Sequence, residues 1–387
     1  MAFAAVERRG SGAIKWDEMA PRFGRDDLTA LWVADMDVAV PEEVHRALTH
    51  RAAHPVYGYT RYDEAFFDAI IWWYHTRFGW SIDREWIVPD HGVVLSINTA
   101  IAALTRSGEG VLIQTPIYPP FMEAVHRNER TLLENRLIHD GERYRIDWDD
   151  FEAKAAEASL FLLCSPHNPT TRAWDQDELE RMAQICQQHN VVIVADEIHS
   201  DIVYDRPHLP IGMLETARKH TLTLHAPSKT FNIAGLNTSF AIIPDPQIRS
   251  AYRRIYDRLG LPHGNPFGIE ALKAAYTPEG EAWLDALKVH LQNNISLVRQ
   301  FLAERIPRIV PVPTEATFLI WLDCRQLQLT EEQLQRLFIE EARLALNPGT
   351  HFGPAGSGYM RLNIGTTPKV LRAALEQLAR AIERAGV

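Results

Sequence analysis

A lysine stands between two hydroxyl residues at the point where a strand-like segment ends. The segment "TLTL" alternates as a strand does, and "HAPSKTFN" follows it, with Lys229 between Ser228 and Thr230. Two other apolar segments also lead to polar residues: "VVIVA" is followed by Asp196, and "LFLLC" leads into "SPHNPT" with Asn168. Ligands of open α/β sheets bind beyond the carboxyl ends of the strands. The sequence therefore predicts one site that contains an amine, a carboxylate and an amide.

This combination matches the needs of pyridoxal phosphate. The cofactor requires a lysine amine for its covalent link and a carboxylate that keeps its pyridine nitrogen protonated. Its phosphate requires free N–H groups, which the helix predicted in "PDHGVVLSINTAIAAL" supplies, with Gly92 at its entrance. Each residue alone also fits a simpler role, namely a solvated loop lysine, a helix-capping aspartate and a turn glycine.

The elements that must position these residues alternate between strands and helices. Apolar, β-rich runs occur at residues 110–116, 159–166, 191–197, 221–227 and 239–245. Runs that are apolar on both faces predict a mostly parallel sheet with helices on both sides. Between the second and third runs, Asp175 and Glu178 can form the capping box of an amphipathic helix. We therefore expect an α/β fold with a three-layer α-β-α large domain.

The chain is long enough for a second domain. Its 387 residues exceed what one hydrophobic core usually organises. After residue 280 the pattern changes to a long helical segment, the strand-like "TFLIWLDC", a Gly/Pro-rich stretch and the strand-like "GYMRLNIG". We predict a large cofactor-binding domain over residues 46–280 and a smaller α+β domain formed by residues 1–45 and 281–387.

The composition excludes several kinds of partner. The formal net charge of −10 argues against nucleic acids and anionic membranes, which recruit basic surfaces. No segment approaches the roughly 18 apolar residues of a membrane span. The three cysteines are sparse and unpaired in spacing, which is typical of a reducing compartment. We expect a soluble cytoplasmic protein.

Eight stretches in a fixed order resemble a known family. They are "LWVADMDVAVPEEV", "HPVYGYT", "TPIYPPF", "SPHNPT", "VADEIHSDIVY", "APSKTFNIAGL", "EATFLIWLDC" and "MRLNIG", and they extend from residue 31 to 366. The chain resembles fold-type I pyridoxal-phosphate enzymes of the aminotransferase class I/II group, and specifically the MalY/PatB family of cystathionine β-lyases, which are carbon–sulfur lyases.

The resemblance assigns roles to the cofactor-binding residues. It implies that Lys229 holds the cofactor covalently, that Asp196 pairs with the pyridine nitrogen and that Asn168 hydrogen-bonds the ring oxygen O3′. Tyr118 would stack on the ring. The resemblance implies that Lys229, Tyr118 and Asp196 are the catalytic residues. The remaining residues implied to bind the cofactor are Gly92, Val93, Ser228, His199 and Tyr59.

The resemblance also implies a substrate and a partner. Arg361 would bind the α-carboxylate of a sulfur amino acid, and the backbone near Ala34 would close over it. Tyr59 would reach the phosphate in the neighbouring subunit, so a homodimer would be needed for a complete site. The implied reaction is β-elimination of L-cystathionine or related cysteine S-conjugates to a thiol, pyruvate and ammonia. An aminotransferase and a cofactor-binding regulatory protein are the alternatives.

Three positions depart from the family pattern. Thr171 stands where a glycine is expected, so the turn of that loop is in question. His199 occupies a position where many aminotransferases carry tyrosine, which favours the lyase group. His225, four residues before Lys229, is not expected there.

The sequence also contains candidate residues for two other kinds of site, a metal site and a thiol nucleophile. His199, Asp201 and His208 are plausible metal ligands, but they form no tight cluster, and we expect no metal. Cys164 and His167 could form a thiol nucleophile pair, although three-residue spacing after a strand is more typical of packing and a turn.

Overall fold

The computed structural model describes residues 3–261 and 264–387. Within those residues, seven strands form the larger sheet. They are β1 (Ile87–Asp90), β2 (Gly110–Thr115), β3 (Thr131–Arg136), β4 (Ala158–Cys164), β5 (Val192–Asp196), β6 (Thr221–His225) and β7 (Ser239–Ile242).

The larger sheet is mostly parallel. Its strand order is β1-β7-β6-β5-β4-β2-β3. The four pairings from β6 to β3 are parallel, whereas β7 is antiparallel to both of its neighbours. The five predicted strands are confirmed as β2, β4, β5, β6 and β7, and the predicted α/β class is confirmed with them.

Helices connect and cover the strands. The α-helices between residues 42 and 305 are α1 (Glu42–Ala53), α2 (Glu64–Phe78), α3 (Val93–Leu104), α4 (Pro119–Arg127), α5 (Trp148–Ala155), α6 (Gln176–Gln188), α7 (Pro246–Arg258), α8 (Pro266–Ala275) and α9 (Pro278–Arg305). Helix α6 begins with the predicted capping box of Asp175 and Glu178. Asp245 caps the N-terminus of α7, and Thr277 caps that of α9. Each cap is followed by proline, which has no backbone N–H that could be left unpaired in the first turn.

The sheet is the middle of three layers. Alternate side chains of β4 point to opposite faces, as in any strand. Leu160 and Leu162 pack with residues of α3, α4 and α7. Phe161 and Leu163 pack on the other side with α5 and α6. Both faces of β4 are therefore buried, which explains its continuous apolar run.

A second, smaller sheet lies in the C-terminal part. It has the antiparallel order β8-β9-β11-β10, formed by β8 (Val310–Pro311), β9 (Leu319–Asp323), β10 (Asn347–Pro348) and β11 (Tyr359–Asn363). Helices α10 (Glu331–Arg336) and α11 (Pro368–Ala385) complete this part. Leu319 of β9 and Leu362 of β11 share a buried core with α9 and α11.

The N-terminal segment joins the C-terminal part. Thr29–Ala30 pairs in parallel with Leu344–Ala345. The predicted domain limit at residue 280 falls in the first turn of α9, and the division into 46–280 and the two flanking segments stays a prediction. None of the described helices is both long and apolar enough to cross a membrane.

Candidate active site

Three neighbouring parallel strands bring the predicted residues to one edge of the sheet. Asp196 at the end of β5 is in register with Cys164 of β4 and with Leu224 of β6. The segments that follow these strands therefore leave the sheet side by side. They surround a cavity of about 250 Å³, whose lining includes Ala34, Gly92, Val93, Tyr118, Asn168, Asp196, His199, Ser228 and Lys229.

The amine of Lys229 faces the segment that contains Ala34. Its Nζ donates a hydrogen bond to the carbonyl oxygen of Ala34 at 2.8 Å. Burial lowers the pKa of Lys229 to about 8, and the positive charge of Arg361 acts in the same direction, while Asp35 and Asp196 oppose them. The pKa of this lysine therefore lies closer to neutral pH than that of an exposed lysine, so a larger fraction of it is the unprotonated, nucleophilic amine.

Asp196 is a buried carboxylate. Only 6% of it is exposed, and its Oδ1 accepts the N–H of Ile198 at 3.1 Å. Burial raises the pKa of Asp196 to about 6, although this hydrogen bond and the charges of His225 and Lys229 lower it. Such a carboxylate is suited to binding a protonated ring nitrogen, because that cation removes the cost of its buried charge.

Arg361 lies behind Asn168. Its Nη1 donates to Asn168 Oδ1 at 3.1 Å, and its Nη2 donates to the carbonyl oxygen of Trp32 at 2.8 Å and to Asn347 Oδ1 at 2.9 Å. Its Nε is buried and has no hydrogen-bond partner among the described residues. Burial lowers the pKa of Arg361 to about 10. Three of its five N–H donors hold this guanidinium in place, and two, the Nε–H and the second Nη1–H, are left for an anionic ligand.

The N-terminus of α3 opens into the cavity. Gly92 precedes it with φ of +124°, a conformation that favours glycine. The N–H of Gly92 donates to Ser239 Oγ at 2.7 Å, so it is already engaged. Val93 begins the helix, and the first N–H groups of a helix have no acceptor within it. The donors available to a phosphate are therefore those of Val93 and the residues after it.

Tyr118 and His199 line the cavity as neutral side chains. Burial raises the pKa of Tyr118 above its usual value, although the nearby Arg361 lowers it. Burial lowers the pKa of His199 to about 3, with further lowering by Lys229 and Arg361. The Nδ1 of His199 is buried and has no hydrogen-bond partner among the described residues.

Comparison with known proteins identifies the family. Residues 26–378 match the family described as aminotransferase class I and II. The chain is 38% identical to cystathionine beta-lyase PatB of Bacillus subtilis (strain 168), over 97% of this chain and 98% of that protein. It is 35% identical to Protein MalY of Escherichia coli (strain K12), over 97% of each. The chain belongs to the MalY/PatB group of the aminotransferase class I and II family.

A solved structure extends the same comparison. The crystal structure of cystalysin from Treponema denticola, which contains a pyridoxal 5′-phosphate cofactor, matches the whole of this chain with a TM-score of 0.94 and 31% identity. The two folds therefore agree over their full length.

The residues present fit the cofactor that these MalY/PatB relatives suggest. The cavity joins an amine at Lys229, a buried carboxylate at Asp196 and a helix N-terminus at Val93. One buried polar atom of a lining residue, Nδ1 of His199, has no partner in the described part of the chain. Buried polar groups are rarely left unpaired, so this atom indicates a missing polar ligand.

Tyr59 does not line the cavity of its own chain. It is 93% exposed and lies in the segment between α1 and α2. The expected role of Tyr59 concerns a neighbouring subunit, and it stays a prediction.

A group of residues that holds Ala34 was not predicted. We call residues 33–38 the strap. Asn232 Nδ2 donates to the carbonyl oxygens of Met36 and Val38 at 2.8 and 2.9 Å. Asn363 Nδ2 donates to the carbonyl oxygen of Asp35 at 2.7 Å. Asn232 lies three residues after Lys229 and Asn363 two after Arg361, so proximity to those residues was the available signal.

The loop with Thr171 keeps a glycine-like backbone. Thr171 has φ of +60°, in the left-handed region, and its N–H donates to the carbonyl oxygen of His167 at 2.7 Å. Its hydroxyl donates to the carbonyl oxygen of Pro313 at 3.2 Å. Thr171 therefore adopts a left-handed conformation that favours glycine, and its side-chain hydrogen bond helps to hold it. The Asn168–Pro169 peptide bond in this loop is cis.

The two other kinds of site are not supported. Among residues 3–261 and 264–387, no group of three or more His, Cys, Asp or Glu side chains could hold a metal ion. His208 instead pairs with Glu197 at 3.0 Å. Burial raises the pKa of the Cys164 thiol well above its usual value, and it lowers the pKa of His167 to about 4. A thiol that stays protonated beside a neutral imidazole is not a nucleophile.

Proposed function

We propose that this protein is a pyridoxal-phosphate-dependent carbon–sulfur β-lyase. It would cleave L-cystathionine or related cysteine S-conjugates, with water, to a thiol, pyruvate and ammonia. The observation that carries the proposal is one cavity lined by both Lys229 and Asp196. Arg361 donates a hydrogen bond to Asn168, which also lines this cavity. The names of the relatives, cystathionine beta-lyase PatB among them, support the same reaction.

The cofactor and Asp196 would together stabilise the negative charge that forms at Cα of the substrate. When bound to Lys229, pyridoxal phosphate supplies a conjugated pyridinium ring that takes up the electron pair left at Cα and so allows a thiolate to leave from Cβ. Asp196 would keep the ring nitrogen protonated. The ion pair would also relieve the burial that raises the pKa of this carboxyl to about 6.

Lys229 would then act as the base. When the substrate is bound, the free amine of Lys229 would be the group that removes the proton from Cα. A base is most efficient when its pKa is near the working pH, and burial lowers the pKa of Lys229 to about 8. The carbonyl oxygen of Ala34, which accepts from Nζ at 2.8 Å, would orient the amine between these steps.

Arg361 and Asn168 would fix the substrate and the ring relative to each other. A guanidinium binds a carboxylate through two parallel hydrogen bonds, which sets its orientation as well as its affinity. The hydrogen bond of 3.1 Å from Arg361 Nη1 to Asn168 Oδ1 links the carboxylate site to the residue proposed to contact the ring oxygen.

Tyr118 would hold or deliver the proton at the leaving sulfur. It lines the cavity on the side of α4, and its hydroxyl is neutral because burial raises its pKa. A neutral phenol can donate its proton to a departing thiolate and be reprotonated from solvent.

We also propose a homodimer in the cytoplasm. Large apolar side chains are exposed near the ends of α1, α3 and α7, namely Val56, Tyr57, Tyr59, Val94 and Leu259. Exposed apolar side chains favour a protein interface where they form one patch. Because Val94 also lines the cavity, a second subunit that covers Val94 would border the site. The three cysteines are free and buried, which suits a reducing compartment.

The purified protein tests the function directly. We expect a yellow protein that releases pyruvate and ammonia in equal amounts from L-cystathionine without an added keto acid. Lys229→Ala should lose the colour and the turnover. The matched control is Lys219→Ala, because Lys219 is exposed and outside the cavity, and it should retain both.

Three outcomes contradict the proposal. Turnover that depends wholly on a keto acid would assign the protein to the aminotransferases. Colour without turnover on any cysteine thioether would favour a cofactor-binding regulatory protein. A colourless protein that gains no absorbance with pyridoxal phosphate would exclude the whole class.

A further inference from the structure

His225 is buried directly beneath the candidate site. It is the last residue of β6, next to β5, and none of its surface is exposed. Its ring packs edge-on against the rings of Tyr74 and Phe240, at centroid distances of 5.8 and 5.6 Å. A polar ring in such surroundings must be paired to be stable.

Both ring nitrogens of His225 face oxygen acceptors. Nδ1 lies 2.9 Å from the carbonyl oxygen of Glu197 and 3.4 Å from Ser200 Oγ. Nε2 lies 3.5 Å from Asp201 Oδ2, within ion-pair range, and has no hydrogen-bond partner among the described residues. A neutral imidazole carries a single N–H. If that N–H donates to Glu197, the lone pair of Nε2 faces the Asp201 carboxylate, whereas in a doubly protonated ring both nitrogens carry a hydrogen towards an oxygen.

Asp201 is ionised although it is buried. Burial alone would raise the pKa of Asp201, but the nearby His225, a hydrogen bond from Thr230 and the charge of Arg77 bring it below its usual value. Asp201 and His225 therefore lie within ion-pair distance of each other with both side chains fully buried.

The ion pair is connected to the residue that follows the reactive lysine. Thr230 Oγ1 donates to Asp201 Oδ2 at 2.7 Å. Trp73 Nε1 from α2 donates to Asp201 Oδ1 at 3.0 Å. Through these contacts Asp201 joins α2, β6 and the backbone next to Lys229.

The charge of His225 also reaches Asp196. It is one of the causes that lower the pKa of Asp196 against the effect of burial. The titratable groups that surround the imidazole are Asp201 and the two site residues Asp196 and His199 from the β5 segment, together with Tyr74 from α2. The nearby Glu197 carboxylate is paired separately with His208.

We propose that His225 is a positioning residue of this site. As an imidazolium paired with Asp201, it holds the segment after β5 against β6, fixes the backbone next to Lys229 and favours the ionised form of Asp196. The proposal rests on the proposed function, because Asp196 and Lys229 matter as the residues that bind the cofactor.

The chain contains a matched control in His208. It is also a buried histidine paired with a carboxylate of the same segment, at 3.0 Å from Glu197. Asp201, and with it Thr230, is not part of that pair. His208→Gln therefore reproduces the loss of a buried pair without removing the charge beside Asp196.

The test uses the holoenzyme and its colour. The pH midpoint of the cofactor's visible absorbance and the dissociation constant for pyridoxal phosphate are measured for wild type, His225→Gln and His208→Gln. Removing a cation favours the protonated form of its neighbours, so the midpoint should rise by about one pH unit in His225→Gln, a tenfold change in the protonation equilibrium. It should stay at the wild-type value in His208→Gln. Asp201→Asn removes an anion and should lower the midpoint, and the double variant should return it towards wild type.

The outcomes separate the two proposals. Equal midpoints in His225→Gln and His208→Gln would overturn the positioning role. If His225→Gln does not fold, an unchanged midpoint in Asp201→Asn would overturn it instead. A wild-type protein that binds no pyridoxal phosphate would overturn the proposed function before any variant is compared.

Discussion

The burial of Asp196 suits it to bind a protonated ring nitrogen, but it lowers the stability of the protein without the cofactor. Burial raises its pKa from 3.8 to about 6. A carboxyl with a raised pKa in the folded state binds more protons there than in the unfolded chain between these two pH values. The contribution of Asp196 to the free energy of unfolding therefore falls as the pH rises from about 4 to 6. Above pH 6 the apoprotein carries the full penalty.

Asp196→Asn should consequently stabilise the apoprotein at pH 7.5. The shift of roughly two pKa units corresponds to about 3 kcal/mol in the free energy of unfolding. The amide oxygen can still accept the N–H of Ile198. Urea unfolding of the apoprotein at pH 7.5 and pH 4 measures the effect, which should disappear at the lower pH. An equal stabilisation at both pH values would show that the buried charge is not its cause.

Arg361→Lys should separate substrate binding from cofactor binding. Lysine keeps the positive charge but cannot form two parallel hydrogen bonds to a carboxylate. We expect kcat/KM for L-cystathionine to fall about a hundredfold, which is roughly 2.7 kcal/mol, mainly through KM. The absorbance of the bound cofactor should be retained. Arg325→Lys, at an exposed ion pair with Asp323, is the control and should have wild-type kinetics.

At the scale of elements, the strap is held from three directions. Asn232 and Asn363 bind its backbone, as described above. The N-terminal segment binds its carboxylates: Asp37 accepts hydrogen bonds from Lys15 Nζ at 2.8 Å and from Arg8 Nη1 at 3.0 Å. Since the strap includes Ala34, these contacts connect the first residues of the protein to the amine of Lys229.

Lys15→Met should loosen the strap and weaken substrate binding. Lys15 is fully buried, so its loss leaves the Asp37 charge with Arg8 and one neutral donor. Breaking a buried pair on one side costs about 3 kcal/mol of unfolding free energy, and we expect KM to rise with it. Asp37→Asn in the same chain should restore part of the stability. Arg127→Ala removes an exposed helical pair with Glu123 and should change stability by less than about 0.5 kcal/mol. A loss of stability with an unchanged KM would contradict the role of the strap.

The elements were predictable where one pattern dominates. Four of the five central strands have apolar runs because both of their faces are buried, and the fifth, β6, alternates threonine with leucine. Strands β1 and β3 lack that signal. β1 includes Pro89, and β3 is an edge strand in which Glu134 is exposed and Leu133 is half-buried. Edge strands face water on one side, and their composition reflects it.

At the scale of the whole molecule, the site was predictable only in part. Residues that follow strand ends, such as Asp196 and Lys229, could be expected at one edge of the sheet. Contacts between distant segments could not: the side chain of Asn232 binds the backbone of Met36, 196 residues away. The pairing of His225 with Asp201 likewise depends on how β6 lies beside β5, which no local pattern contains.

Subunit mixing tests whether two copies of the chain build each site. If Tyr59 acts in the neighbouring site, Tyr59→Ala should weaken cofactor binding, and Lys229→Ala should abolish turnover. In a mixed dimer, one site would then lack both residues and the other would have both. Random reassociation of equal amounts makes half of the dimers mixed, so about a quarter of the sites should be complete. Turnover after mixing and refolding, compared with each variant refolded alone, measures this recovery. Recovery no greater than the mean of the two variants would show that Tyr59 serves its own chain or no site.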